Sequence, residues 1–432
     1  MKHATGYRMD HDDRVTCIIP TSSLCASATA GPSGGGRARI LACSVAAFLL
    51  PLWCSANAAE GEIFTPSAYT TTRYDSNSFR LSEDTSLNVS NQGSLVTRTF
   101  GVGLRVVKSY GLQNVVLEGN VTRYMYSTFS SLDATGHDVS GVYNWKLTPS
   151  IAGAVVYKSS AVPSDFADTG FRTTSNIRTT TEKRLDTDWL AGAALHPRIS
   201  LFEVTSDSDQ PVFQLENSRT RYASASLIYL FPSNNSVEAY AQRGNGSYQN
   251  LLPDPVTQLA TQFREQQAGT RVHWVFNGLS RMDADLGYLD RTHEDLPTRD
   301  FAGFVGNLTL SYLLTGKTKF DIYLARQLYS SQSTLSSYAQ EERATVFATY
   351  AATSNISVVP SFLFLKRVFK APPIPIPIEL RELTRVYSLE LRWTPLRQLD
   401  LSASVGHETR GATLTSLQYS NRTGQVNARL HF

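Results

Sequence analysis

The chain has 432 residues, with 40 basic and 37 acidic side chains, 41% apolar residues, four cysteines and a negative mean hydropathy. Near-balanced charge argues against nucleic acid as a partner, and the absence of any 18-residue apolar run beyond residue 58 excludes a helical membrane protein. A membrane β-barrel is not excluded, because its strands are only half apolar.

At the N-terminus, Arg37 and Arg39 precede an apolar run from Ile40 to Trp53, and Ser55-Ala56-Asn57-Ala58-Ala59 then offers small residues at A-x-A spacing. This pattern predicts a secretory signal peptide cut near Ala58 or Ala59. Its apolar core falls short of the roughly 20 residues a spanning helix needs. Cys54 follows Trp53, where a lipidation signal wants a small side chain, so a lipid anchor is not expected. Residues 1–36 read as an over-long leading region or an early start codon. The expected division is therefore 1–58, extension and signal, and 59–432, the mature fold. All four cysteines (Cys17, Cys25, Cys43, Cys54) lie in the first part, so no disulfide or thiolate chemistry is expected in the second. Removing the five basic and three acidic residues of positions 1–58 leaves 35 against 34.

From Ala59 onward, short alternating segments recur, and every second connection is tight. The tight ones are Ser109-Tyr110-Gly111, Thr148-Pro149-Ser150, His196-Pro197-Arg198, Pro232-Ser233-Asn234-Asn235, Asn277-Gly278, Thr315-Gly316-Lys317, Thr353-Ser354-Asn355 and Thr394-Pro395-Leu396-Arg397. These Gly, Pro, Asn and Ser combinations suit hairpins. Nine longer connections fall between them, near 75–92, 127–137, 162–176, 207–218, 247–262, 292–300, 330–337, 369–380 and 410–416. The fold class expected is all-β: a transmembrane antiparallel β-barrel of about 18 strands, with 16 as the alternative count. Alternation is clearest in Phe320, Ile322 and Leu324 against Lys319, Asp321 and Tyr323, and in Leu389, Leu391 and Trp393 against Ser388, Glu390 and Arg392. A soluble sandwich has the same period, but about 370 residues of alternating strand is long for one. The loop Ala371-Pro372-Pro373-Ile374-Pro375-Ile376-Pro377 is expected to be a stiff, extended external segment.

The chain closes on Val426, Ala428, Leu430 and Phe432 facing one side and Gln425, Asn427, Arg429 and His431 facing the other. An amphipathic last strand ending on Phe432 resembles the C-terminal insertion signal of bacterial outer-membrane barrels. The expected location is the bacterial outer membrane, with its lipid and the barrel-assembly machinery as partners.

Further motifs point the same way. Tyr74-Asp75-Ser76-Asn77-Ser78-Phe79-Arg80-Leu81-Ser82-Glu83-Asp84, then Arg123-Tyr124, Tyr143-Asn144-Trp145-Lys146-Leu147, Ser164-Asp165-Phe166-Ala167-Asp168, Asn176-Ile177-Arg178-Thr179 and Leu314-Thr315-Gly316-Lys317-Thr318 follow one order. In that order the chain resembles the EpsL-type, exosortase-associated barrel proteins of exopolysaccharide operons. The resemblance implies a passive, hydrated outer-membrane pore taking part in exopolysaccharide export or biosynthesis. It implies extracellular polysaccharide and periplasmic polysaccharide export proteins as partners. The Pro-rich loop departs from that group. A general diffusion porin for small solutes, or a non-conducting platform for polysaccharide machinery, are the alternatives.

A sugar conduit needs planar polar groups for hydroxyls and aromatic faces for rings. The lumen-lining candidates are Arg105, Glu118, Tyr124, Glu238, Tyr240, Asp283, Asp285, Lys319, Asp321, Tyr323, Glu390, Arg392 and Arg429, joined by Asn120, Gln242, Asp400 and Asn427. The same residues also suit a plainer role, pairing across neighbouring strands to keep the lumen wet. Tyr69, Tyr74, Tyr110, Trp145, Trp189, Tyr222, Tyr229, Trp274, Tyr312, Tyr350 and Trp393 read as interfacial girdle. No enzyme, cofactor or metal site is expected. His407-Glu408 near Ser404 is the one triad-like cluster and reads as ordinary polar lining; His293-Glu294-Asp295 reads as a solvated loop tip.

Overall fold

The computed structural model describes residues 63–82, 94–166, 174–190, 192, 194–250, 262–294, 297–330, 338–370 and 379–432. The expected signal peptide and the Pro-rich segment 371–377 lie outside them. Eighteen strands follow in chain order: β1 (Phe64–Asp75), β2 (Leu95–Tyr110), β3 (Gln113–Tyr126), β4 (Ala134–Thr148), β5 (Ile151–Pro163) and β6 (Ile177–Trp189). Then come β7 (Leu195–Ser208), β8 (Ser218–Leu230), β9 (Ser236–Tyr248), β10 (Gln262–Asn277), β11 (Ser280–Thr292) and β12 (Phe301–Thr315). The last six are β13 (Thr318–Ser330), β14 (Tyr338–Ala351), β15 (Ile356–Lys370), β16 (Arg381–Leu396), β17 (Leu399–Ala412) and β18 (Tyr419–His431).

Every strand pairs antiparallel with its sequence neighbours, and β1 pairs with β18 from Ser67 opposite His431 to Asp75 opposite Thr423, so the sheet closes on itself. Closure leaves no open edge, which is the condition for burying strands in hydrocarbon. Each strand has 12 to 16 residues, more than the roughly 9–11 that cross a bilayer, so strands project beyond it. The strand count settles at 18 rather than 16.

The eight expected tight connections are all present, two of them displaced from the residues expected to form them. Trp189 ends β6 and Leu195 begins β7, so His196-Pro197-Arg198 lies within a strand instead of the turn. The β6–β7 ladder begins only at Asp188 opposite Arg198, so Pro197, which has no N–H to give, sits just beyond its end. Similarly, Pro395 lies inside β16 beside a register shift between Trp393 and Leu396.

Residues opposed in register share a face. On one face Tyr69 of β1 reaches Thr122 of β3, Tyr222 of β8 reaches Glu265 of β10, and Tyr240 of β9 reaches Asp285 of β11, each across an intervening strand. Curvature brings next-but-one strands together only on the concave side, so this is the lumen. The convex face carries Phe100, Val102 and Leu104 on β2, Ile199 and Leu201 on β7, and Leu389 and Leu391 on β16, all exposed. A soluble sandwich would bury that face. A closed barrel wearing its apolar side chains outside is a lipid-embedded protein of the bacterial outer membrane, with its short turns at one end and its longer loops at the other.

At the short-turn end the convex face presents Tyr110, Trp189, Tyr229, Tyr312, Tyr350 and Trp393, an aromatic girdle. Tyr69 and Tyr222 do not belong to it. Strand alternation turns each inward, and the ring can lie over the wall because its register partner on the next strand is glycine, Gly101 and Gly244. A Cβ there would stand 2.3 Å and 2.4 Å from the tyrosine rings. The same device seats Tyr240 over Gly269, whose own partner on β11 is Gly287. Glycine leaves a trough in the wall, and the ring fills it.

At Gly269 a Cβ would lie 2.4 Å from the Leu286 carbonyl oxygen and 2.8 Å from the Tyr240 hydroxyl. Gly269→Val is therefore expected to destabilise the barrel by about 1–3 kcal/mol. The folded band in a temperature series of unboiled electrophoresis should be lost earlier than in wild type; an unchanged midpoint would contradict the close packing.

Candidate functional site

The lumen wall is the candidate site, and strand alternation supplies its side chains. Arg105 and Glu118 face one another across β2 and β3 at 2.8 Å. Tyr124 stands on the same inner face of β3, above Gly136. Around β9–β11, Arg271 binds Glu238 and Asp285 at 3.0 Å each, and its guanidinium lies 4.1 Å from the Tyr240 ring centre. The Tyr240 hydroxyl donates to Asp285 at 2.7 Å and accepts from the Gln267 amide N–H at 2.6 Å, while the Gln267 side-chain oxygen accepts from the Gln242 amide at 3.0 Å. Asp283 takes His273 at 2.7 Å and Arg281 at 2.9 Å.

Further around the wall, Lys319 meets Asp321 at 2.8 Å, and Arg392 meets Glu390 at 2.7 Å. Tyr323 is on the inner face of β13, opposite Thr309 and Thr345. Arg429 lies over the Tyr69 ring at 5.4 Å, beside Asn427, which accepts a hydrogen bond from Thr71 at 2.9 Å. The residues singled out thus share one face but are spread round the circumference as separate clusters; they do not converge on a point. Phe432 follows the last strand, its backbone N–H donating to Pro66 at 3.0 Å.

Two expected clusters change. His407 shares the outer face with Tyr387 and Arg422, whereas Glu408 and Ser404 face inward, so alternation separates the triad-like set. His293 is buried rather than solvated, 6.1 Å from the Phe263 ring, with its backbone N–H donating to Asp300 at 2.7 Å; Asp295 lies outside the described residues.

A second set, at the loop end of the inner wall, escaped the sequence reading. Glu341 binds Arg343 at 3.1 Å and Arg367 at 2.9 Å; Arg367 opposes Glu382, and Glu382 meets Arg410 at 3.5 Å. Arg410 lies over the Tyr419 ring, whose hydroxyl donates to Glu408 at 2.7 Å. Arg80, from the loop after β1, completes the run: it meets Glu408 and Asp75 at 3.1 Å each, and Arg73 meets Asp75 at 3.0 Å. Alternating arginine and carboxylate thereby track the inner wall from β14 through β18 to β1. Their sequence signal is same-face spacing two apart, as in Glu341/Arg343, Glu408/Arg410 and Arg73/Asp75.

Residues 76–82 turn inward over this wall. Asn77 closes the turn by accepting from the Leu81 N–H at 2.9 Å and donating to the Leu81 carbonyl at 2.8 Å. Ser76 and the Asn77 N–H both donate to buried Asn421 of β18. Phe79, 1% exposed, packs edge-on against Phe129 and Phe166 from the next two long loops. Arg80 adopts a left-handed backbone, φ 57°, costly for a side-chain-bearing residue, while its guanidinium is enclosed by carboxylates. Burial alone would lower its pKa; Glu408, Asp75 and Asp165 outweigh that and hold it above the ordinary value, so it stays charged. The segment is thereby docked at the loop end of the barrel against β17, β18 and β1.

No family model matches this chain, and no curated protein matches it. Among solved structures it is similar to the Pseudomonas aeruginosa outer membrane protein OpdK, at 12% identity and TM-score 0.46 over 85% of this chain and 99% of that one. It is also similar to Pseudomonas aeruginosa OccK2 (OpdF), at 10% identity and TM-score 0.47 over 85% and 97%.

Two measurements probe these loop-end contacts. Arg80→Ala leaves Asp75 and Glu408 facing each other without the shared cation, and removing one partner of a buried pair costs about 3–5 kcal/mol. Amides of 76–82 should then exchange hydrogen much faster, and exchange at the wild-type rate would refute the docking. His293 has its pKa lowered by burial first and by Arg291 second, against an opposing pull from Asp300. The unfolded chain therefore takes up a proton before the folded one does, and stability is full above about pH 6.5 and falls as pH drops below it. His293→Gln should flatten that acid-side slope in thermal melts, whereas an unchanged slope would exclude this residue as its source.

Proposed function

We propose that the barrel is a passive diffusion pore for small hydrophilic solutes across the outer membrane. One observation carries this reading: the concave wall of a closed 18-stranded barrel is lined by side chains of both signs, paired locally rather than gathered into a single-sign field. A barrel of this strand number has room for an aqueous lumen. Paired charges solvate such a channel without trapping an ion, because each site's charge is answered by its neighbour. Tyrosines and amides between them offer weak, repeated hydrogen bonds to a solute with hydroxyl or carboxylate groups.

Passage of extracellular polysaccharide is the finer reading. It rests on the resemblance of Tyr74–Asp84 and the motifs that follow it, with periplasmic export proteins as the partners it would need. The inward turn of residues 76–82 belongs to that motif and places it at the mouth, where an emerging chain would pass.

Purified full-length protein in planar bilayers should give stepwise conductance in potassium chloride with a reversal potential near zero under a salt gradient. Lys319→Glu should move that potential toward cation preference, because Asp321 would lose its partner and a second carboxylate would join it. A silent bilayer would sink the pore reading in favour of a structural platform. Block by long oligosaccharides, but not by monosaccharides, would favour the polysaccharide route.

A further inference from the structure

The convex surface is asymmetric. At its short-turn end it is aromatic; at the loop end of β8–β10 it is basic. Arg219 and Arg221 of β8, Arg243 of β9 and Arg264 of β10 share the outer face, all exposed. Arg221 opposes Asn245, and Asn245 opposes Arg264, so these two arginines stand in one row about 10 Å apart, two strand spacings. Arg243 sits two residues along from Asn245, on the same face between them. Arg221 and Arg219 are partly answered by Glu203 of β7, at 2.7 Å and 3.9 Å. Arg243 and Arg264 have no ion-pair partner among the described residues.

Depth decides what this cluster meets. Below Arg221 the outer face of β8 continues as Ala223, Ala225, Leu227 and Tyr229, the lipid-facing band, and Arg219 is one residue from the strand's outer end. The arginines therefore lie where the hydrocarbon of the external leaflet ends and its headgroups begin. Arginine placed in hydrocarbon is costly, and at the midplane of a barrel's lipid face amounts to about 2–4 kcal/mol, so four within three successive rows at the loop end mark a polar boundary. Guanidinium forks match phosphate oxygens in bidentate geometry, and Arg243 between Arg221 and Arg264 presents such forks from three adjacent strands.

We infer that the outer face of β8–β10 is a binding site for a phosphate-bearing lipid headgroup of the external leaflet, held by Arg221, Arg243 and Arg264 with its acyl chains along the apolar band beneath. A lipid is favoured over a soluble anion because the site is continuous with that band; a soluble ligand would use no part of it. The site is on the opposite side of the wall from the lumen, so it stands or falls independently of the pore.

The test uses full-length barrel in zwitterionic detergent, titrated with diphosphorylated lipid A and read by native mass spectrometry. Phosphatidylcholine is the zwitterionic control, and millimolar inorganic phosphate is the competitor. The wild type should retain lipid A in preference to phosphatidylcholine. In Arg243→Gln/Arg264→Gln the apparent affinity should fall about 30-fold, at about fivefold per arginine near an anionic surface. Arg243→Lys/Arg264→Lys should fall less, keeping charge but losing the fork. Unchanged affinity in the glutamine variant, with wild-type heat-modifiable mobility, overturns the assignment. Displacement of lipid A by inorganic phosphate also overturns it, since the site would then recognise a free anion. Should the variants fail to fold, wild type alone decides: lipid A should raise its melting temperature at low salt and less at high salt. A melting temperature equal in both lipids overturns the proposal.

Discussion

The pairing of β1 with β18 is the constraint on which everything else depends. In hydrocarbon an unpaired row of N–H and C=O groups has no water to fall back on, so a sheet of seventeen or eighteen strands with open edges would be unstable there. Ser67 through Asp75 meeting Thr423 through His431 removes both edges at once. Beyond that ladder the ends remain tied, by the Ser76 N–H to the Arg422 carbonyl at one side and the Phe432 N–H to Pro66 at the other. The seam lies where the two chain regions furthest apart in sequence must find each other, and the loop motif after β1 adds side-chain contacts to it. Asn421, 1% exposed, accepts from both Ser76 and Asn77, so the first long loop reinforces the closure it follows.

Once the sheet is closed, period-two alternation becomes a separation of phases. Each strand sends one set of side chains to lipid and the other to a confined polar space, and a shift of register by one residue would exchange them. Pairs such as Arg105 with Glu118, or Arg271 between Glu238 and Asp285, neutralise one another locally and need no distant partner. Several inward rings fit only because a glycine lies opposite. Tyr69, Tyr222, Tyr240 and Phe263 each lean over a neighbour's glycine, at Gly101, Gly244, Gly269 and Gly246. The rings thicken the wall, and the three tyrosines bridge next-but-one strands through their hydroxyls, to Thr122, Glu265 and Asp285.

The two ends of the barrel differ in chemistry as well as in loop length. Aromatic side chains at the short-turn end suit an interface that favours amphipathic rings, whereas charges gather at the other end both inside and outside the wall. Inside, arginines and carboxylates from β14 to β1 pair with one another and hold the 76–82 segment; outside, on β8–β10, arginines exceed carboxylates. The inner run answers charge with charge inside the wall, and the outer one faces whatever surrounds the protein.

Much of this was legible in the residues. Strand periodicity, the rhythm of tight and long connections, and the apolar-polar split of Val426–Phe432 each express a local rule, that successive side chains on extended backbone point to opposite sides, so they determined the class, the strand number to within one hairpin, and which side chains share a face. Local rules misjudged Pro197, because a proline at a ladder's end looks like a turn, and they put Tyr69 and Tyr222 in the girdle, because nearness to a strand end does not reveal which face of the closed sheet becomes the lumen. Only the tertiary structure decided which residues become neighbours: that Arg80 meets Glu408, that Arg221 and Arg264 share a row, and that Tyr240 lies over Gly269. The physical reason is range. A strand's faces follow from its own backbone, whereas register and curvature are set by closure of the whole sheet, and no stretch of sequence carries that information alone.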